Sequence, residues 1–146
     1  MRLQPCSRGM MMTSYLVDTH ILLWLFNDDS KLSQKARNIV LNTGSELYYS
    51  VISLWEVALK HMKNPHEMNT SGALFLHYCE QSGFKKLPLD ERHVLALENL
   101  TRQEDSPPHK DPFDRIMLAQ AKADSMLFMT HDRQFTYYNE PWVVMV

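Results

Sequence analysis

Short apolar runs alternate with stretches of helical periodicity along almost the whole chain, and this restricts it to an open, mainly parallel sheet covered by helices. Residues 15–18, 47–51, 84–89, 125–130 and 142–146 read as strands, with Pro88 pushing the third toward an edge. Residues 19–26 form a helix that is apolar nearly all round. Leu32, Ala36, Ile39 and Val40 recur at helical spacing up to Leu41. Ser53-Leu54-Trp55-Glu56 has the capping-box form and is expected to open a helix reaching about Met62. A helix follows over 73–81, and another after Asp90 with Val94, Leu95, Leu97 and Leu100 on its apolar side. Residues 102–110 are polar and expected to be mobile. Asp111-Pro112 then starts a helix with proline at its first position, where the missing N–H costs nothing.

In such a sheet the carboxyl ends of the strands lie side by side and ligands collect outside them. Acids mark these ends here. Asp18 closes the first strand, Glu56 follows the second, Asp111 and Asp114 open a helix, and Asp132 follows the fourth strand. Each taken alone reads as a helix cap or a first-turn acid favoured by the helix dipole. Asp90, which also follows a strand and opens a helix, shows how little one such position proves. As a set they gather like charges at one end of a sheet, where a cation would neutralise them. All-oxygen donors suit Mg²⁺ or Mn²⁺. Zinc is disfavoured, because Cys6 and Cys79 are far apart and His61 and His66 straddle a helix end. With only four glycines there is no Gly-rich phosphate loop, and neither cysteine sits in a nucleophile motif.

A chain of 146 residues suits one domain, read here as 14–146, with 1–13 a loose tail or sequence upstream of a natural start at Met10, Met11 or Met12. Two cysteines are too few for a disulfide framework and fit a reduced, cytoplasmic protein. The longest apolar stretch, 21–26, falls far short of the roughly 20 residues of a membrane span. No apolar core of a signal peptide is present at the start. The net charge of −2 is unusual for a nucleic-acid protein, although bound cations or a local basic strip would offset it.

The acids are embedded in four ordered motifs: Leu16-Val17-Asp18-Thr19-His20-Ile21-Leu22-Leu23-Trp24, Ser50-Val51-Ile52-Ser53-Leu54-Trp55-Glu56-Val57-Ala58-Leu59-Lys60, His109-Lys110-Asp111-Pro112-Phe113-Asp114-Arg115 with Ala119-Gln120-Ala121, and Thr130-His131-Asp132 before Phe135. Together these resemble the PIN domain, and within it the VapC-type toxins of bacterial type II toxin–antitoxin pairs. The resemblance thins between Met62 and Pro88, where Lys63-Asn64-Pro65-His66 replaces a Gly-Lys pair frequent in related sequences.

The resemblance implies a three-layer α/β/α sandwich with a mainly parallel central sheet, and a Mg²⁺- or Mn²⁺-dependent endoribonuclease leaving 5′-phosphate and 3′-hydroxyl ends. Its four acids fall on Asp18, Glu56, Asp114 and Asp132; Asp111 shares the third role or only caps the helix. Lys60, Lys110, Arg115, Arg133 and His109 are candidate substrate contacts. Trp55, Phe113 and Phe135 could stack bases, though burial is the expectation for all three. The implied partners are RNA, a cognate antitoxin through which operator DNA is bound, and a second copy in a homodimer. The apolar helix at 21–26 and the aromatic end at 137–146 are surfaces that would need covering. Two other classes compete. A Mg²⁺-dependent phosphatase or phospho-acceptor domain also places aspartates after parallel strands, but His20 stands where a dehalogenase-type phosphatase needs a second Asp. A binding module that has lost catalysis would keep the fold without turnover.

Overall fold

The computed structural model describes residues 11–146; Cys6 and most of the expected N-terminal tail lie outside them. The elements, in order, are β1 (Thr13–Val17), α1 (Thr19–Phe26), α2 (Gln34–Leu41), β2 (Ser45–Ser50), α3 (Val51–Lys63), α4 (Gly72–Gln81), β3 (Lys85–Leu87), α5 (Glu91–Leu97), α6 (Pro112–Ala123), β4 (Leu127–Thr130), a 3-10 turn (Arg133–Tyr137) and β5 (Val143–Met145). The five strands form one sheet in the order β3-β2-β1-β4-β5, and every pairing is parallel. Two strands already at an edge carry the weakest patterns. β3, cut short before Pro88, is one of them.

Alternation along the central strands splits the interior in two. Val17, Tyr49 and Met129 point to one face, where they meet Ile21, Leu22, Ala36, Val57, Phe75 and Cys79 from α1 to α4. Leu16 and Phe128, one residue out of step, point to the other face and pack on Met117, Leu118, Ala121 and Phe135. Side chains of period two on a sheet with helices on both faces produce the three-layer α/β/α sandwich.

Several expectations need correction. Ser53 does not cap α3. Ser50, the last residue of β2, accepts from the Ile52 amide at 3.0 Å, so the helix begins one turn earlier and Ser53 lies buried inside it. Val94 and Leu95 are exposed, and His93 is the buried residue of α5. Its Nδ1 accepts from the Asp90 amide at 3.0 Å and its Nε2 lies 2.9 Å from Asp124. A polar side chain with both nitrogens satisfied thus takes the inward position that periodicity gave to leucine.

The 102–110 segment is pinned, not free. Arg102 lies over the Tyr138 ring at 4.6 Å and bonds the Pro107 carbonyl, while the Gln103 amide donates to Tyr137 O at 2.9 Å. The α1 helix is also already covered. Ile21, Leu22 and Leu23 are buried, and Trp24, Leu25 and Phe26 pack on the same core. The apolar side chains left exposed on α3 are Trp55, Leu59 and Met62, one helical stripe. No helix among the described residues is long and apolar enough to cross a membrane.

Candidate functional site

Asp18 sits where β1, at the centre of the sheet, turns into α1. Its carboxylate caps that helix, accepting from the Thr19 amide at 2.7 Å through Oδ1, and accepts from the Thr130 hydroxyl at 2.7 Å through Oδ2. Thr130, the last residue of β4, also receives the Asp132 amide at 3.0 Å, so one buried hydroxyl ties Asp18 to the loop that carries Asp132. Thr19 performs the matching task on the other side. Its Oγ1 donates to Glu56 Oε1 at 2.8 Å and lies 2.7 Å from Ser53 Oγ. Glu56 projects inward from α3 and is 1% exposed.

Asp114 stands in the first turn of α6, whose start is fixed by Asp111. The Asp111 carboxylate accepts from the Phe113 amide at 2.9 Å, which is the capping role. Behind Asp114 lies His109, largely buried, with Nε2 3.1 Å from Asp114 Oδ2 and Nδ1 2.9 Å from the Tyr138 hydroxyl. A carboxylate only accepts, so the neutral ring carries its proton on Nε2 and takes the Tyr138 proton at Nδ1. Ligand atoms of His109, Asp114 and Asp132 all lie within 4.8 Å of one another. Both His109 nitrogens are engaged, however, so the ring orients Asp114 and the available donors stay all oxygen, as the sequence presented them.

The electrostatics are those of crowded, poorly solvated acids. Burial, helped by the charges of Asp114 and Glu56, pushes Asp18 up to about 8 against the hydrogen bonds that favour its ionised form. Asp114 is raised as well, by burial and by Asp111 and Glu56, with the His109 hydrogen bond opposing. Among the described residues, Glu56 is the one of these acids with a Lys or Arg on it: Lys60 Nζ lies 2.7 Å from Oε2, one helical turn away. Burial works against the Lys60 charge, but Glu56 outweighs it and raises the ammonium pKa.

These donors fit a hard divalent cation. The two oxygens of Asp18 each keep a lone pair after their hydrogen bonds, Asp132 is exposed, and the ionised forms are costly without positive charge. Glu56 is the least available, since Thr19 and Lys60 already occupy its two oxygens.

The other predicted contacts divide. Lys60 is paired with Glu56, and His109 is turned inward to Asp114 instead of outward. Lys110 and Arg133 are exposed and Arg115 half-exposed, and none of the three has an ion-pair partner among the described residues. Phe135 is buried and Phe113 half-buried, but Trp55 is 55% exposed, its ring edge-to-face with Phe113 at 5.0 Å. Thr19, Thr130 and Tyr138 are the residues that sequence reasoning passed over. Their signal was position: two threonines adjoin the motif acids, while nothing local marks Tyr138.

Asp18, Asp132, His20, Trp24 and His131 together line a cavity of about 200 Å³. Asp90 takes no part. It caps α5 and pairs with Arg92 at 3.2 Å.

The fold recurs in solved structures of low identity. A chain of the VapBC2 complex from Rickettsia felis bound to a DNA fragment from their promoter superposes with a TM-score of 0.64 at 15% identity, over 92% of this chain and 98% of that one. A chain of DNA-bound VapBC from Salmonella typhimurium gives 0.58 at 18%, over 92% and 98%. One from a toxin–antitoxin complex of Klebsiella pneumoniae gives 0.53 at 23%, over 90% and 96%. No curated protein sequence matches the chain. The family model of the PIN domain matches residues 15–141, and the chain belongs to that family.

Proposed function

We propose that this protein is a Mg²⁺- or Mn²⁺-dependent endoribonuclease and the toxin of a toxin–antitoxin pair, with residues 14–146 as its one domain. The observation that carries this reading is the convergence of Asp18, Glu56 and Asp132, linked through Thr19 and Thr130, with Asp114 close to Asp132, beside the carboxyl ends of β1 and β4. Asp18, Asp114 and Asp132 would hold the ion, with Glu56 completing the charge and Asp111 at the margin. Once bound, it supplies a water of lowered pKa and positive charge against the phosphoryl oxygens.

The chain's own residues do the rest. Thr19 and Thr130 fix the Asp18 carboxylate from both sides, and Tyr138 and His109 fix Asp114, so the acids need no rearrangement at the moment of reaction. Lys110, Arg115 and Arg133 are available to phosphates of the flanking strand. Water adds to phosphorus as the P–O3′ bond breaks, leaving a 5′-phosphate and a 3′-hydroxyl. A small antitoxin fits the exposed apolar stripe of Trp55, Leu59 and Met62, and membership in a VapBC-like fold supports such a partner.

The test is cleavage of a panel of structured and single-stranded RNAs with Mn²⁺, with EDTA, and by Asp18→Asn, with product ends mapped. Cuts that need metal, leave 5′-phosphates and vanish in the variant are expected. Intact RNA after incubation with folded, antitoxin-free, Mn²⁺-binding protein would return the chain to the phosphatase or binding-module readings.

A further inference from the structure

Beside Asp18 and Asp132, two of the acids proposed to hold the cation, the cavity that they line is walled by three rings, those of His20, Trp24 and His131. Trp24 meets His131 edge-on at 5.4 Å and 72°, and His20 tilts against Trp24 at 6.2 Å. Trp24 is half-buried and packs on the core of the α1 face, so its ring is held in place before any ligand arrives. His131 is held as well, its Nδ1 donating to the Val146 oxygen at 2.6 Å.

We propose that this cavity receives one nucleobase of single-stranded RNA, the base next to the scissile phosphate, with Trp24 as its stacking surface. This rests on the nuclease reading above and names the part of the substrate that enters. Size is the first argument. At about 200 Å³ the cavity is smaller than the roughly 300 Å³ at which small-molecule sites begin, so its occupant is a fragment of something anchored elsewhere. With a water taking about 30 Å³, it has room for one flat heterocycle and not for a whole nucleotide. Continuity is the second: Asp18 and Asp132 belong both to this wall and to the carboxylate cluster, so a base seated against the rings lies one backbone link from a phosphate at the acids.

The experiment measures anisotropy of labelled single-stranded RNA octamers with Ca²⁺, each carrying one abasic nucleotide at a different position. Wild type, Trp24→Phe and Trp24→Ala are compared, with circular dichroism confirming that each is folded. One position is expected where losing the base weakens wild-type binding by about 5- to 100-fold, the range of a base–aromatic stack. Trp24→Phe keeps that dependence. Trp24→Ala loses a similar factor on intact RNA and nothing more on the abasic RNA.

A folded Trp24→Ala that retains the wild-type abasic penalty overturns the proposal and leaves the cavity to a side chain of a protein partner. Coupling between Trp24 and the abasic position in a protein that cuts no RNA with Mn²⁺ would sink the nuclease reading while keeping the base site. Absence of measurable RNA binding by any of the three proteins overturns both.

Discussion

Asp18 and Asp90 occupy the same kind of place in the chain, and their surroundings give them opposite properties. Each follows a strand, each caps the helix that comes next, and each accepts a backbone amide. Around Asp90 the charges are balanced. Arg92 bridges Asp90 and Asp124 at 3.2 and 2.9 Å, and His93 Nε2 bonds Asp124; desolvation, the largest single influence on the Asp90 carboxyl, pushes it up, but Arg92 and His93 together outweigh it and hold the group below its ordinary range. Around Asp18 there are burial and two further acids, and among the described residues it has no ion-pair partner; its carboxyl rises to about 8. Capping therefore does not separate a structural acid from a functional one. What separates them is whether the protein itself supplies the countercharge.

The same chemical change in the two regions gives the sharpest test. Asp18→Asn should lower RNA cleavage by about a thousandfold or more, since on the proposed function several kcal/mol of charge stabilisation depends on the ion that this carboxylate would hold. In EDTA near pH 7 the variant should nevertheless melt several degrees above the wild type, because folding no longer has to protonate a buried carboxyl, while the Thr130 hydroxyl can turn to accept from the new amide. Asp90→Asn should leave cleavage unchanged and shift the melting point by little, asparagine being as good a cap. Equal losses of activity from both variants would erase the contrast.

Proton linkage gives the next test. Asp18 has a folded-state pKa of about 8 against an unfolded value near 3.9, so the unfolded chain releases this proton first. Stability from the neutral carboxyl is complete below about pH 4 and is lost as pH rises toward 8. In EDTA, melting temperature should fall steadily over that window, and Mg²⁺ should flatten the slope by holding the ionised form. Asp90, with a lowered pKa, acts in the opposite sense and only in acid, losing its contribution as pH falls through the carboxylate range. A metal-free protein equally stable at pH 5 and pH 8 would contradict the account of Asp18.

Most of the layer order was legible because it depends on pattern. Leu16 and Val17, adjacent and both apolar, had to face opposite sides of a parallel sheet covered twice. The acids were legible as a set for the reason already given. What failed were choices between near-equivalent residues. Ser50 and Ser53 both offer a hydroxyl near the start of α3, and only the end of β2 decides which one caps. His93 displaced Val94 and Leu95 from the interior because its partners, Asp124 and the Asp90 amide, come from another helix and from the backbone. The contact from His109 to Tyr138 spans 29 residues and brings the polar segment back against the 3-10 turn, which local composition could not show.

A smaller effect should come from the hydroxyl that ties two acids together. Thr130→Val keeps the shape of a buried strand residue but removes the donor to Asp18 and the acceptor for the Asp132 amide. Metal affinity by calorimetry is expected to drop about 10- to 100-fold, as for other groups that orient ligands. A valine variant with wild-type affinity would show that burial alone fixes these acids.

The smallest effect belongs to the balanced region. The Arg92 side chain is 60% exposed and water screens its pairs with Asp90 and Asp124, so Arg92→Met should move the urea midpoint only slightly, and less still in high salt. His93 would still hold Asp124, and the Asp90 cap would still close α5. That outcome completes the comparison from its other side, because redundancy is what a region has when its countercharges are its own. A large drop in the urea midpoint of Arg92→Met would mean that the α5–α6 contact depends on this one guanidinium, and the two regions would then differ in degree of exposure and not in design.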